Sequence, residues 1–184
     1  FLAPAAAAEE AISLAMRHKL SCGVHLTFNS DFRAAPIKPL VQSADVKSLV
    51  DERGYLSVDV TDFAERANRD DVEREARAQL DYCRATGMTL THLDSHEGTL
   101  QLNQGFIALY FELAARYQLP LRAGSPALLS ELGLDTAWLA KARALGLHFP
   151  DNLVYIPLYA FDSVAAKEQY LEKLIAEMPA GVTE

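Results

Sequence analysis

The sequence predicts an α/β protein in which strands and helices alternate along the chain. Short apolar runs of strand length occur at 22–28, 88–90 and 152–156. Between them lie segments whose apolar residues recur at helical spacing, as in the segment that begins at Asp70. Because strands alternate with helices, the chain is expected to form βα units with a parallel sheet or a barrel.

The N-terminal half is expected to contain a helix, a strand, a long connection and a second helix. The Ala-rich segment 4–18 favours a helix because alanine has the highest helix propensity. Strand 22–28 follows, and the connection 29–60 is rich in the residues of loops. A connection of that length usually has a function, often as a lid or wall of a binding site. The helix at Asp70 has its apolar residues on one face: Val72, Ala76, Leu80 and Cys83.

The C-terminal half continues the same alternation. A helix is expected around residues 106–117, with short helices over 126–132 and 136–145. A strand over 152–156 precedes the last helix, 163–178. That helix is expected to point one apolar set inward: Val164, Tyr170, Leu171, Leu174, Ile175 and Met178.

Composition and charge favour a small-molecule substrate. The 184 residues suit a single domain, 1–184, and 50% of them are hydrophobic while 23% are charged, as in ordinary globular proteins. A formal net charge of −8 disfavours nucleic acid and anionic membrane surfaces as partners. No apolar run approaches the ~20 residues of a membrane span.

Two cysteines are too few for a disulfide framework. Cys83 falls on the apolar side of a predicted helix and Cys22 directly precedes a strand. Both are therefore expected to be reduced thiols, as in a cytoplasmic protein.

The segment 91–96, which reads THLDSH, is the strongest functional signal. It places His92, Asp94 and His96 within five residues, after the apolar run 88–90. Imidazole and carboxylate are common ligands of divalent metals. In βα folds, ligands bind at the carboxyl ends of the strands, where this segment is expected to lie. The alternative is a pair of histidines that bond to backbone carbonyls and have no catalytic role.

Three other histidines carry weaker signals. His25 lies in the apolar strand 22–28 and gains functional weight only from the second cluster. His18 is at the basic end of a helix, where a cation complements the helix dipole. His148 lies in a predicted loop that could border a pocket. For His92, both a supporting role in the site and the absence of any role remain open.

Two residues are candidates for the catalytic machinery. Arg122 ends the short extended segment 119–122, where a guanidinium could orient a carboxylate or bind a substrate oxygen, although a surface arginine is the alternative. Asp94 could accept a hydrogen bond from a ligand imidazole, with capping of the loop as its alternative. Ser95 lacks the context of a nucleophile, and there is no phosphate loop or dinucleotide fingerprint.

Several motifs together resemble the YdjC-like carbohydrate deacetylases, the chitooligosaccharide deacetylase family. The hexapeptide 91–96 is similar to the signature of that family, and residues 23–27, GVHLT, are similar to its glycine-x-histidine-leucine strand. Further similarities follow in the same order along nearly the whole chain: Pro39, Ser48, Leu49, Val50, Asp51, Gly54, Val72, Glu73, Arg74, Glu75, Leu121, Arg122, Gly146, Pro150 and Asp151.

The resemblance implies a fold, a cofactor and an activity. The fold is a distorted (β/α) barrel, similar to a TIM barrel. The cofactor is a divalent metal, Mg²⁺ or Zn²⁺, held by an N-terminal aspartate and by two histidines that correspond to His25 and His96. The activity is hydrolytic removal of acetyl groups from N-acetylated sugars of the chitooligosaccharide type. The partner would be a small carbohydrate, and a homodimer is compatible with this interpretation.

The resemblance also implies family segments outside the chain. The family's first strand carries an Asp-Asp pair that supplies a metal ligand and the base, and it would precede Phe1. Asp70 and Asp71 open a helix and do not replace that pair. The chain is therefore expected to be the interior part of the barrel, without the first strand and the C-terminal strands. After the signature it reads EGTL at 97–100, where many members have further histidines.

Two other interpretations remain open at the level of sequence. A non-catalytic carbohydrate-binding or scaffold protein could keep the barrel without the base. A metallohydrolase of another substrate could use the same scaffold.

Overall fold

A computed structural model describes residues 1–131, 133, 135–154, 156 and 160–184. Within these residues the chain is a mixed α/β structure with a small parallel sheet, which confirms the predicted α/β class. Its α-helices are α1 (Ala8–Arg17), α2 (Val60–Arg66), α3 (Arg69–Ala85), α4 (Gln104–Tyr117), α5 (Pro126–Glu131), α6 (Ala137–Ala144) and α7 (Val164–Ala176).

The sheet consists of β1 (Cys22–Leu26) and β2 (Leu90–Ser95), which run parallel. The prediction of a strand over 88–90 was wrong in position, because β2 runs through the hexapeptide itself. Met88 instead packs with Ile12 and Ala15 of α1 in a small apolar cluster. The motif therefore supplies the strand as well as the polar side chains at its end.

Further extended segments pair through isolated bridges outside the two-stranded sheet. Leu121 forms a parallel bridge with Leu93, and its N–H donates to the carbonyl of His148 at 2.9 Å. Farther along, Asn152 bridges Thr183. In the described part of the strand predicted over 152–156, this bridge is accompanied by backbone hydrogen bonds of Asn152 and Val154 with Glu184. Tyr155 lies outside the described residues. A closed barrel stays a prediction.

Helix α3 forms as its sequence predicts. Asn68 caps it, because its side chain accepts a hydrogen bond from the N–H of Asp71, one of the donors left free in the first turn. The predicted apolar face is confirmed, since all four of its residues are fully buried: Val72, Ala76, Leu80 and Cys83. This helix covers β1 and the connection that follows it.

The connection between β1 and α2 is a folded segment of the chain. It contains two short 3₁₀ turns, Ser43–Asp45 and Lys47–Leu49. The buried hydroxyl of Ser30 accepts a hydrogen bond from the N–H of Ile37 and donates one to the carbonyl of Leu56, both at 2.9 Å. These bonds fold the connection back over the end of β1.

The prediction for the last helix was wrong in its packing. Helix α7 forms, but Val164 is 74% exposed and Ile175 is 68% exposed. Its apolar periodicity is present, yet no residue of α7 is buried. Among its residues, Tyr170 makes a ring contact with Phe161, at 5.1 Å between centroids.

The two cysteines are free thiols, as expected from their number. Cys83 is fully buried and Cys22 is half-buried, and both are free cysteines. Burial raises the pKa of the Cys83 thiol to about 12, so it stays protonated at neutral pH. None of the helices in the described part of the chain has the length and apolarity of a membrane-spanning segment.

Helix α4 contributes a tyrosine that hydrogen-bonds to the backbone of the strands. Tyr110 is fully buried, and its hydroxyl lies 3.0 Å from the carbonyl oxygen of Leu93 in β2 and 2.9 Å from that of Arg122. The single hydroxyl proton can be donated to either carbonyl. Tyr110 thereby ties two neighbouring strands together at the level of Arg122.

Replacing Tyr110 with phenylalanine removes this link and keeps the ring. We expect Tyr110→Phe to lower the free energy of unfolding by about 1 kcal/mol, the net value of a typical buried hydrogen bond. Urea denaturation measures this change. Tyr82→Phe, for which the structure shows no hydrogen bond of the hydroxyl, is the control. Equal stability of Tyr110→Phe and the wild type would show that the link contributes nothing.

Candidate metal and catalytic site

The strand ends bring the predicted residues together. In the parallel register of β1 and β2, His25 lies opposite Asp94, and His96 follows directly after the last residue of β2. The Oδ2 atom of Asp94 lies 2.7 Å from Nδ1 of His25. The Nε2 atom of His25 lies 3.1 Å from Nδ1 of His96. The expected approach of the two rings is therefore present.

A second carboxylate completes a row of four groups. Asp31, in the connection after β1, has its Oδ1 atom 3.1 Å from Nε2 of His96, which is within ion-pair distance but lacks the alignment of a hydrogen bond. The row thus runs from Asp94 through His25 and His96 to Asp31. Sequence reasoning missed Asp31, although it lies in the connection that was expected to border a binding site.

Asp94 is fixed by three donors. Its Oδ2 atom accepts from His25 and from Nη1 of Arg122 at 3.2 Å, and its Oδ1 atom accepts from the N–H of Ser95 at 2.7 Å. Burial acts to raise the pKa of the Asp94 carboxyl, but the hydrogen bond from His25 and the charges of His25 and Arg122 outweigh it, so the pKa is lowered. Asp94 is therefore an ionised acceptor, and Nδ1 of His25 must carry the proton.

Arg122 pairs with two carboxylates. Besides Asp94, it contacts the carboxylate of Glu184, and this hydrogen bonding raises the pKa of the guanidinium. Arg122 also borders a cavity of about 730 Å³. Its position links the row of four groups to this cavity.

His96 begins a 3₁₀ segment, His96–Gln101, that turns sharply. Glu97 and Gly98 both have positive φ, 48° and 67°, which glycine tolerates and other residues rarely adopt. Glu97 accepts a hydrogen bond from the amide of the fully buried Asn29. Ligand atoms of Asp31, His96 and Glu97 all lie within 4.8 Å of one another, so these residues could hold a divalent metal. Sequence reasoning missed Glu97 and Asn29.

The remaining sequence candidates lie outside the row. His92 packs against Gly23, where a Cβ atom would lie 2.3 Å from the ring, and it lines the cavity with His148. His18 is the C-terminal cap of α1, as its position predicted. The hydroxyl of Ser95 accepts a hydrogen bond from the N–H of Leu100 and so caps the turn.

The four groups of the row fit a cation because they make three close contacts, here called gaps, and have two ring protons to fill them. Each gap brings together two atoms with lone pairs, and each neutral imidazole carries one N–H. The third gap therefore needs a further proton or a metal ion. Among the described residues, the buried side-chain polar atoms without a hydrogen-bond partner are His96 Nε2 and Asn29 Oδ1. Two nitrogens at ~2.1 Å from one ion would lie about 3.0–3.4 Å apart, close to the His25–His96 separation.

Comparison with known proteins identifies the family. The model of the YdjC-like protein family matches residues 1–184. The chain belongs to the YdjC-like family. This confirms the resemblance that the motifs indicated.

Curated relatives of this YdjC-like chain are named carbohydrate deacetylases. One from Thermoanaerobacter pseudethanolicus is 30% identical over 165 residues, which cover 90% of this chain and 57% of the relative. Another from Thermus thermophilus is 31% identical over 162 residues, covering 87% and 58%. The chain thus spans somewhat more than half the length of these relatives.

A solved structure has a similar fold. The crystal structure of a proposed cellobiose-phosphate cleavage protein from Enterococcus faecalis superposes with a TM-score of 0.73 at 28% identity. The match covers 95% of this chain and 62% of that structure. The mixed α/β arrangement of this YdjC-like chain is therefore shared with a larger structure.

Neutralising Asp94 tests its role in the row. Asp94→Asn is expected to keep the fold and to weaken Mn²⁺ binding about 10–100-fold, because the amide no longer enforces the His25 tautomer. Isothermal titration with MnCl₂ measures the affinity, and circular dichroism checks the fold. Glu112→Gln, which removes an exposed carboxylate paired with Arg69, is the control. Unchanged affinity in a folded Asp94→Asn variant would assign Asp94 to the turn alone.

Proposed function

We propose that this chain forms part of a metal-dependent carbohydrate deacetylase that removes acetyl groups from N-acetylated sugars. The observation that carries the proposal is the row Asp94–His25–His96–Asp31, in which two imidazoles face each other and a carboxylate flanks each one. Family membership and the names of the curated relatives support the activity.

His25 and His96 are the proposed ligands of a divalent metal, Mg²⁺ or Zn²⁺. In this arrangement the outer nitrogens, Nδ1 of His25 and Nε2 of His96, carry the protons and face the carboxylates of Asp94 and Asp31. The inner nitrogens then both present lone pairs to one ion. Carboxylates that hold a ligand histidine in one tautomer are a common feature of metal sites.

The protein groups around the ion have separate tasks. A bound divalent ion would polarise the acetyl carbonyl and make a water molecule more acidic. Asp94 holds the proton on Nδ1 of His25 and so keeps Nε2 free. Arg122 holds Asp94 in place and presents its guanidinium toward the cavity, where it can bind an oxygen of the substrate.

The cavity beside Arg122 is the proposed sugar site. Its volume of about 730 Å³ lies in the range of small-molecule pockets. Phe149 gives it an apolar surface, and Arg143 and Asp151, which pair with each other at 3.1 Å, give it polar groups. Since Arg122 and Arg143 are both paired with carboxylates, the cavity suits an uncharged sugar better than a phosphorylated one. A chitooligosaccharide is the substrate that we propose.

A second position for the ion has a specific observation in its favour. If protons fill the gaps on both sides of His25, Nε2 of His96 is left with a lone pair that faces Asp31 and Glu97. Its lack of a hydrogen-bond partner agrees with that arrangement. His96 is a ligand in both positions, whereas His25 is a ligand only in the first and Glu97 only in the second.

Substitutions in the full-length protein test the proposal. We expect the wild type to release acetate from di-N-acetylchitobiose, to lose this activity after EDTA treatment and to regain it with Mn²⁺ or Zn²⁺. His25→Ala and His96→Ala should abolish both activity and metal binding, because each removes a ligand. His18→Gln, which changes a histidine at the end of α1, is the control.

The same experiments separate the alternatives. Loss of Mn²⁺ binding in Glu97→Gln with retention in His25→Ala would place the ion at Asp31, His96 and Glu97. A wild type that binds the sugar but releases no acetate in the presence of metal would contradict the enzyme and favour a binding protein.

A further inference from the structure

Helix α3 buries two polar side chains on a face that is otherwise apolar. Glu75 and Gln79 lie one helical turn apart, and both are fully buried. Burying a polar group lowers the stability of the fold unless hydrogen bonds replace its contacts with water. Their partners therefore indicate what these two residues do.

Gln79 holds the backbone at the end of β1. Its Oε1 atom accepts from the N–H of Thr27 at 2.9 Å, and its Nε2 atom donates to the carbonyl of Thr27 at 2.7 Å. Both backbone groups of one residue are thus bound by one side chain, as a neighbouring strand would bind them. Thr27 follows β1 directly and lies two residues after His25.

Glu75 holds the backbone farther along the same connection. Its two carboxylate oxygens accept from the N–H groups of Leu40 and Val41, each at 3.0 Å. Nε2 of Gln79 also donates to Glu75 at 2.8 Å, which joins the two anchors into one unit. Burial raises the pKa of the Glu75 carboxyl, and the two backbone N–H groups oppose that shift.

The segment between these anchors carries two residues of the candidate site. Residues 28–39 include Asn29, which donates to Glu97, and Asp31, which faces His96. Residues 31–35 are all exposed, so the hydrophobic core does not hold the middle of the segment. Ser30 and Ile37 tie the segment to Leu56, so the position of Asp31 over His96 depends on these bonds together with the fixing of the two ends.

We propose that Glu75 and Gln79 are positioning residues, which fix both ends of segment 28–39 and thereby hold Asp31 and Asn29 against His96 and Glu97. This inference rests on the proposed function for its effect on metal binding. It assigns a task in the site to two residues of α3 that do not touch the row of four groups. The task itself, holding the segment, can be measured without the metal.

Two variants and a matched control on the same helix test the inference. Gln79→Met keeps the size of the side chain and removes its hydrogen bonds, and Glu75→Gln leaves the side chain one good acceptor. Asp71→Asn is the control, because Asp71 also accepts from a backbone N–H and a hydroxyl, but at Ser48, outside the segment. The full-length protein is used throughout.

Two readouts are expected to change together in the variants of the anchors. Hydrogen exchange followed by mass spectrometry should show faster exchange of the amides in 28–39, and titration with MnCl₂ should show about 10-fold weaker binding, the lower end of the range for supporting residues. Asp71→Asn should leave both readouts unchanged, whatever stability it loses.

Each other outcome has a defined meaning. If Gln79→Met and Glu75→Gln lose stability but keep wild-type exchange in 28–39 and wild-type Mn²⁺ affinity, the inference is overturned. If the wild type binds no Mn²⁺, the proposed metal site fails, and the exchange of segment 28–39 alone decides whether the anchors hold it. If Glu75→Gln does not fold, Gln79→Met decides the result.

Discussion

The hydrogen bond between Asp94 and His25 depends on the register of two parallel strands, and the candidate site depends on that bond. His25 lies opposite Asp94, so both side chains leave the same face of the sheet. A slip of one residue would turn one of them to the opposite face. The register is held by buried residues on the other face, among them Val24 and Leu93, and by Tyr110 behind β2. Packing on one face thus sets the chemistry on the other.

Proton counting gives the row its chemical meaning. Asp94 is ionised and fixes the tautomer of His25. One ring proton, that of His96, then remains for two gaps, the one between the two rings and the one between His96 and Asp31. A metal ion would resolve that shortage in either of the two proposed positions, and His96 would be a ligand in both. The neighbouring Glu97 and Asn29 add a carboxylate and an amide oxygen on the His96 side of the row. The environment around the proposed ion is thus richer in acidic groups than the signature alone indicates.

The site is supported by elements that contribute no side chain to it. Helix α3 reaches the connection after β1 through Glu75 and Gln79, and helix α4 reaches β2 and Arg122 through Tyr110. In both cases a fully buried polar side chain binds backbone groups beside a residue of the row. Apolar packing alone would hold the helices against the sheet, but these hydrogen bonds fix the backbone at particular residues. A site that positions a substrate for bond cleavage needs that precision.

The sequence by itself determined the α/β class, the buried face of α3 and the candidates His25, Asp94, His96 and Arg122, because local periodicity and a short motif encode them. The tertiary structure alone decided that Asp31 and Glu97 join His96. One approaches across the folded connection after β1, and the other follows His96 in a turn of positive φ, so neither contact has a pattern in the sequence. The exposure of the apolar residues of α7 could not be predicted for the same reason. Periodicity shows that a helix has an apolar side but not which element packs against that side.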